Sequence, residues 1–179
     1  MKLYVGCGNV RMKDWVNIDI APELSPNLVH DASKPFPYMD NSIDFIYSEH
    51  FIEHLTVKDG VAFFKEAHRM LKPGGVMRVA TFDMDIFLHH HREGNPNWKE
   101  DAGLVDVGLG FLKTRIESLN VNMRWWGHQY VYNIEELTRR LNEAGFGNVI
   151  KCGYHQSSYP ELSNLETRVQ SNLIFEAIK

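Results

Sequence analysis

Cysteine is scarce in this chain: only Cys7 and Cys152 occur among 179 residues, far apart and each in an apolar, strand-like setting. A disulfide framework is therefore excluded. With no leader-like segment ahead of the first strand, both thiols are expected to be reduced and the compartment cytoplasmic. Long basic runs are also missing and the formal charge is -4, so nucleic acid held by phosphate neutralisation is not an expected partner. No apolar stretch approaches the roughly 20 residues that span a bilayer. Internal repeats and low-complexity tracts are absent, and the triplet His89-His90-His91 is the one local oddity.

What remains has the composition of an ordinary globular domain. Hydrophobic residues make up 44%, and the length suits a single domain over residues 1–179 with a sizeable core. The first half alternates strands with connections. Strands are expected at Lys2–Val5, Trp15–Ile20, Asn27–His30, Ile43–Ser48 and Val76–Thr81, without the polar alternation of a half-exposed sheet. Val61, Phe64, His68 and Leu71 recur at helical spacing, with Lys72-Pro73-Gly74-Gly75 as a breaker and left-handed stop. From Asp83 to Gly127 the pattern changes. Helical pieces are expected near Ile86–Arg92 and Leu104–Leu119, in a segment that reads as too short and too polar to hold its own core. Asn133 then caps a helix carrying Ile134, Leu137, Leu141 and Ala144, which Gly145 ends. Asn148–Gly153 and Leu173–Ile178 complete seven strands. The expected fold is α/β: a Rossmann-like, doubly wound, mostly parallel sheet whose last strand is antiparallel, with an insertion at 83–127 after the fifth strand.

The chemistry begins at Leu3-Tyr4-Val5-Gly6-Cys7-Gly8-Asn9 and Trp15-Val16-Asn17-Ile18-Asp19. An apolar run ends in Gly-x-Gly, and the next ends in a carboxylate, which is how such a sheet presents a nucleoside site. A dinucleotide fingerprint has a third glycine where this chain has Arg11, and its acidic residue comes about 20 residues on. Asp19 follows Gly8 too soon for a full crossover helix. The site suits a nucleoside without a pyrophosphate, of which S-adenosylmethionine is the commonest cofactor.

Further pieces follow in order: His30-Asp31 with Pro35-Phe36-Pro37, Ser42 to His50, Glu53-His54-Leu55, Arg69-Met70-Leu71-Lys72-Pro73-Gly74-Gly75, and Glu136-Leu137 through Ala144-Gly145-Phe146. Together they resemble the class I S-adenosylmethionine-dependent methyltransferases, in particular the small bacterial, type 11-like branch often found beside surface-polysaccharide genes. The resemblance implies methyl transfer from S-adenosylmethionine to a small-molecule or saccharide acceptor, at a hydroxyl. It also implies a cofactor site in which Val5, Gly6, Cys7 and Gly8 pass under the methionine part and Asp19, with Ile20, takes the ribose hydroxyls. Asp31 receives the adenine amino group beside Ala32, and Ser48, Glu49 and His50 line the methionine moiety. The carboxylate assignments agree with chemistry, since a diol and an exocyclic amine both donate. Helices that usually precede the first strand are not in the chain, so the cover over the acceptor comes from the insertion or from a partner subunit, which leaves a homodimer open.

A hydroxyl acceptor also needs a general base. His128, Asp83 and His50 are the candidates, in that order. Trp125, Trp126, His128, Tyr130 and Tyr132 form an aromatic run that either stacks on a sugar or fills the cover's core. A different class of function is carried by His50-Phe51-Ile52-Glu53-His54, which as a bare pattern is the His-x-x-Glu-His of inverted zinc peptidases. It lacks a nearby third ligand, and a structural role for Glu53 and His54 is preferred, so no metal is expected. The histidine triplet is expected to be a solvated patch. A third class is a nucleoside-binding module that has lost transfer.

Overall fold

The computed structural model describes residues 1–92, 94, 96–101 and 104–179; the side chains of His90, His91, Arg92 and Asp101 lie outside the described set. The expectation for the His89–His91 triplet therefore falls largely outside the described residues.

Seven strands form one sheet in the order β3-β2-β1-β4-β5-β7-β6. They are β1 (Lys2–Val5), β2 (Val16–Asp19), β3 (Leu28–Val29), β4 (Ile43–Glu49), β5 (Leu71–Thr81), β6 (Asn148–Lys151) and β7 (Leu173–Ile178). Every pair from β3 to β5 is parallel, and β7 runs antiparallel to both β5 and β6. The carboxyl ends of β1, β2 and β4 thus open on one edge, where ligands of such sheets bind.

Two expectations shift. The helix α1 (Val57–Met70) buries Gly60, Phe63, Phe64, Ala67 and Met70, one position out of phase with the expected stripe. Gly60 is the reason: a Cβ there would meet the Tyr132 hydroxyl at 2.9 Å, so helix and aromatic approach closely. The helix also stops earlier. Leu71 pairs with Ile43, Val76 with Phe45, and Lys72–Gly75 bulge out of the strand. Gly74 supplies the left-handed residue at φ +78.

Between β5 and the last helix lie α2 (Met84–Arg92), α3 (Trp98–Asp101) and α4 (Arg115–Arg124). The expected helix at Leu104–Leu119 forms only from Arg115, behind a reciprocal capping box of Thr114 and Glu117. Residues 104–112 are mostly turn, with Gly108 at φ +78. The expectation of a segment too polar for a core is corrected as well. Phe87, Trp98, Leu104, Leu109, Leu112, Leu119 and Val121 are buried together with Phe82 and Met84, in a cluster separate from that of the sheet. The apolar residues are spread over three short pieces, so no single helical stripe announced them.

The last helix, α5 (Ile134–Glu143), starts as the sequence indicates. Asn133 Oδ1 accepts from the Glu136 N–H at 2.9 Å, and Gly145 follows the helix at φ +106. Leu137 and Leu141 bury against the sheet core. Asn133→Ala is expected to destabilise the chain by about 1 kcal/mol. Urea unfolding would read this as a lower midpoint at constant slope, with Asn133→Asp near wild type; an unchanged midpoint for Asn133→Ala would show the cap to be dispensable.

Candidate functional site

Two cavities meet above the carboxyl ends of the parallel strands. The first, of about 410 Å³, lies over the Gly6–Gly8 turn. Gly6 sits at φ +71, where a Cβ would strike the Phe51 ring at 2.4 Å, whereas the Cβ position of Gly8, at φ +54, is open. A ligand can therefore reach the backbone at Gly8 while Phe51 packs under Gly6. The turn is tied to β2 by Gly6 and Cys7 N–H bonds to the Ile18 carbonyl, at 2.9 and 3.1 Å. Arg11, standing where a dinucleotide fingerprint has glycine, donates to the carbonyls of Gly8, Val10 and Leu24 and so clasps the turn.

Asp19 accepts the Gly8 N–H on one oxygen at 2.8 Å and the Ala21 N–H on the other at 3.0 Å. Each oxygen keeps acceptor capacity for a diol. Asp31 accepts from Ser33 at 2.9 Å, and the Ser33 bonds hold its carboxyl below the usual range. Val5, Cys7, Ile20, Ala32, Glu49 and His50 line this cavity too. Ser48 does not reach its wall; it is fully buried beneath, its hydroxyl without a hydrogen-bond partner.

Glu49 has a task the sequence did not reveal. Its carboxylate accepts the Thr167 N–H and hydroxyl, the Arg168 N–H and the Ser171 hydroxyl, at 2.6–3.2 Å. This latch brings Arg168 onto the walls of both cavities. The signal for it is a contact across about 118 positions, which no local pattern carries.

The second cavity, of about 390 Å³, lies toward the insertion and shares His50, His54 and Arg168 with the first. Phe82, Phe87, Leu104, Val107 and Trp126 give it apolar walls; Glu53, Asn122, His128 and Gln170 add polar groups. His128 stacks on Phe82 (ring centroids 5.4 Å apart, planes at 21°), and its Nδ1 lies 2.6 Å from the Asn122 carbonyl, leaving Nε2 to carry the lone pair. Of the other base candidates, His50 lines both cavities, while Asp83 lines neither. Asp83 is buried, which pushes its carboxyl above the usual value, and one of its oxygens accepts the Asp85 N–H.

The aromatic run divides between its two readings. Trp126 and His128 line the cavity, whereas Tyr132 is buried in the sheet core and Tyr130 packs on it with its hydroxyl on Glu136.

The zinc-peptidase geometry is not formed. His50 lies at φ +47, outside any helix, and Ile52–His54 make a single 3₁₀ turn, so the two histidines do not share a helical face. His50 Nδ1 instead lies 3.0 Å from Glu53 Oε1. Burial pushes the Glu53 carboxyl up, but the bond and charge of His50 outweigh it, so Glu53 stays ionised. Burial lowers the His54 pKa and keeps that ring neutral.

Residues 3–79 match the family model described as a methyltransferase domain. The demethylmenaquinone methyltransferase of Staphylococcus saprophyticus is 28% identical over 145 residues, 79% of this chain and 54% of the relative; that of Staphylococcus aureus strain Newman is 28% identical over 125 residues, 68% of this chain and 48% of the relative. The chain thus spans about half the length of the curated relatives it matches. Among solved structures, S-adenosylmethionine-dependent methyltransferases of Thermotoga maritima (TM-score 0.57, 18% identity) and Archaeoglobus fulgidus (0.58, 15%) share the fold over 99% of this chain and 81% and 85% of theirs.

Proposed function

We propose that this chain, whose residues 3–79 match a methyltransferase domain, is a class I S-adenosylmethionine-dependent methyltransferase and transfers a methyl group from S-adenosylmethionine to a hydroxyl of a small molecule, with a saccharide as the favoured acceptor. The observation that carries this reading is the pair of cavities joined at His50, His54 and Arg168, one built on a glycine turn and carboxylates and the other on aromatic and imidazole walls.

The residues present fit the cofactor. The open Cβ position at Gly8, the spare lone pairs of Asp19 and the ionised Asp31 offer a backbone cradle and two acceptors for donor groups of a nucleoside. When bound, the cofactor supplies an activated methyl group. The chain's own work is to align the acceptor and exclude water. Phe82, Phe87, Leu104 and Trp126 form the dry side of the acceptor cavity. His128 and His50, the imidazoles on its wall, are placed to receive the hydroxyl proton. Residues 83–127 act as the substrate cover of one methyltransferase domain spanning 1–179. Among the described residues no helix is long and apolar enough to cross a membrane.

Calorimetry with S-adenosylmethionine and its demethylated product tests the cofactor half. Saturable binding of both by wild type is expected, with Asp19→Ala weaker by roughly 1.5–3 kcal/mol, about 10- to 150-fold. Absence of binding, or tighter binding of NAD, would overturn the reading. An acceptor screen offering glycosides, amines and quinols, read as demethylated cofactor formed, tests the other half; turnover of amines alone would overturn the hydroxyl assignment.

A further inference from the structure

We propose that Glu53, His54 and His128 bind a single divalent transition-metal ion in the wall of the acceptor cavity. The three side chains come from two segments 74 positions apart, and each offers one ligand atom within 4.8 Å of the others. All three line the second cavity. Metal–ligand bonds of about 2.0–2.2 Å in a tetrahedral site hold ligand atoms roughly 3.3–3.6 Å apart, so closing on an ion takes movements of under about 1 Å per side chain.

Three independent features point to an ion rather than to chance proximity. Glu53 is fully buried, and while Oε1 meets His50, Oε2 has no hydrogen-bond partner. A bare buried carboxylate oxygen is costly, and a cation offsets that cost. His128 has its Nδ1 on a backbone carbonyl, that of Asn122, and the His54 ring stands edge-on to the His128 ring with centroids 4.9 Å apart. The His128 ring therefore keeps Nε2 for the ion, with its orientation set by an outer-shell bond, as in metal-ligating histidines. His50 performs the same service for the carboxylate.

Two imidazole nitrogens and one carboxylate oxygen suit zinc, cobalt, nickel or ferrous iron better than magnesium or calcium. Three protein ligands leave a coordination position open toward the cavity. Resting on the reading of a hydroxyl acceptor, that position is where the acceptor oxygen binds; the ion lowers its pKa, and the proton then passes to His50 rather than to His128, whose Nε2 the ion holds. The ion-binding site itself stands without that reading. The pattern around residues 50–54 contains two of the ligands; the third, His128, arrives only through the fold, where the Gln129 and Tyr130 N–H groups bond the Glu53 carbonyl at 2.8 and 3.2 Å.

The test uses the tag-free full chain stripped with a chelator and titrated with Zn²⁺ by calorimetry and with Co²⁺ by visible absorption. One saturable equivalent per chain is expected, weakened at least about tenfold in His128→Ala and in His54→Ala, with circular dichroism confirming that both fold. A variant with His89, His90 and His91 all replaced by alanine should keep that equivalent. No saturable binding, unchanged affinity in His128→Ala, or loss of binding in the triple variant would overturn the site. Calorimetry of S-adenosylmethionine on the stripped protein keeps the two readings apart, because cofactor binding is expected to persist there.

Discussion

Arg78→Met is expected to destabilise the chain by about 3–5 kcal/mol, the cost of leaving buried charge without its partner. Arg78 is fully buried on β5, with Nε 2.6 Å from Glu166 and Nη1 2.6 Å from Glu176; the remaining donors serve the carbonyls of Gln156 and Gly153. Burial by itself would lower the guanidinium pKa, but the two carboxylates more than reverse it. Removing the arginine leaves two carboxylates facing each other with no cation. Changing all three residues together, Arg78→Met with Glu166→Gln and Glu176→Leu, is expected to cost much less, since an apolar replacement of a whole buried ion cluster is often nearly neutral. Guanidinium unfolding of the single and triple variants measures the difference. Equal midpoints for wild type and Arg78→Met would mean that the cluster contributes nothing net. The consequence reaches the site, because Glu166 directly precedes the Thr167–Ser171 segment that Glu49 latches and that carries Arg168 to both cavities.

For His128→Ala the expected loss is in rate. Turnover of the true acceptor should fall by roughly 10²–10⁴-fold, the usual worth of a group that handles the acceptor's proton, while cofactor affinity stays at the wild-type value. His128 lines the second cavity and not the first, which is why the two effects separate. If His128 acts through a bound ion, chelation of wild type lowers turnover by a similar factor and lowers His128→Ala no further. Full activity in His128→Ala would remove this residue from the reaction and place the proton on His50. Single-turnover kinetics with the cofactor saturating would make the measurement.

Features that depend on near neighbours were legible in the chain. The Gly6-Cys7-Gly8 turn, the carboxylate at the end of β2 and the Asn133 cap each follow from residues a few positions apart, through backbone freedom, strand period and hydrogen-bond reach. So did the strand pattern and the antiparallel last strand. Asp83 shows a related limit. It lies two residues past the end of β5, which stops at Thr81, and position near a strand end alone does not say whether a side chain meets a cavity or, as here, accepts the Asp85 N–H.

What the sequence determined by itself, then, is the sheet and the edge at which the Gly6–Gly8 turn and Asp19 stand. Only the tertiary structure decided how Glu49 would be used, where Arg168 would stand, that residues 83–127 would bury a core of their own, and that His128 would meet Glu53 and His54. The physical reason is the same in each case. These are pairings between buried polar or apolar groups tens of residues apart; their energy comes from desolvation and mutual satisfaction, and neither leaves a periodic mark on the chain.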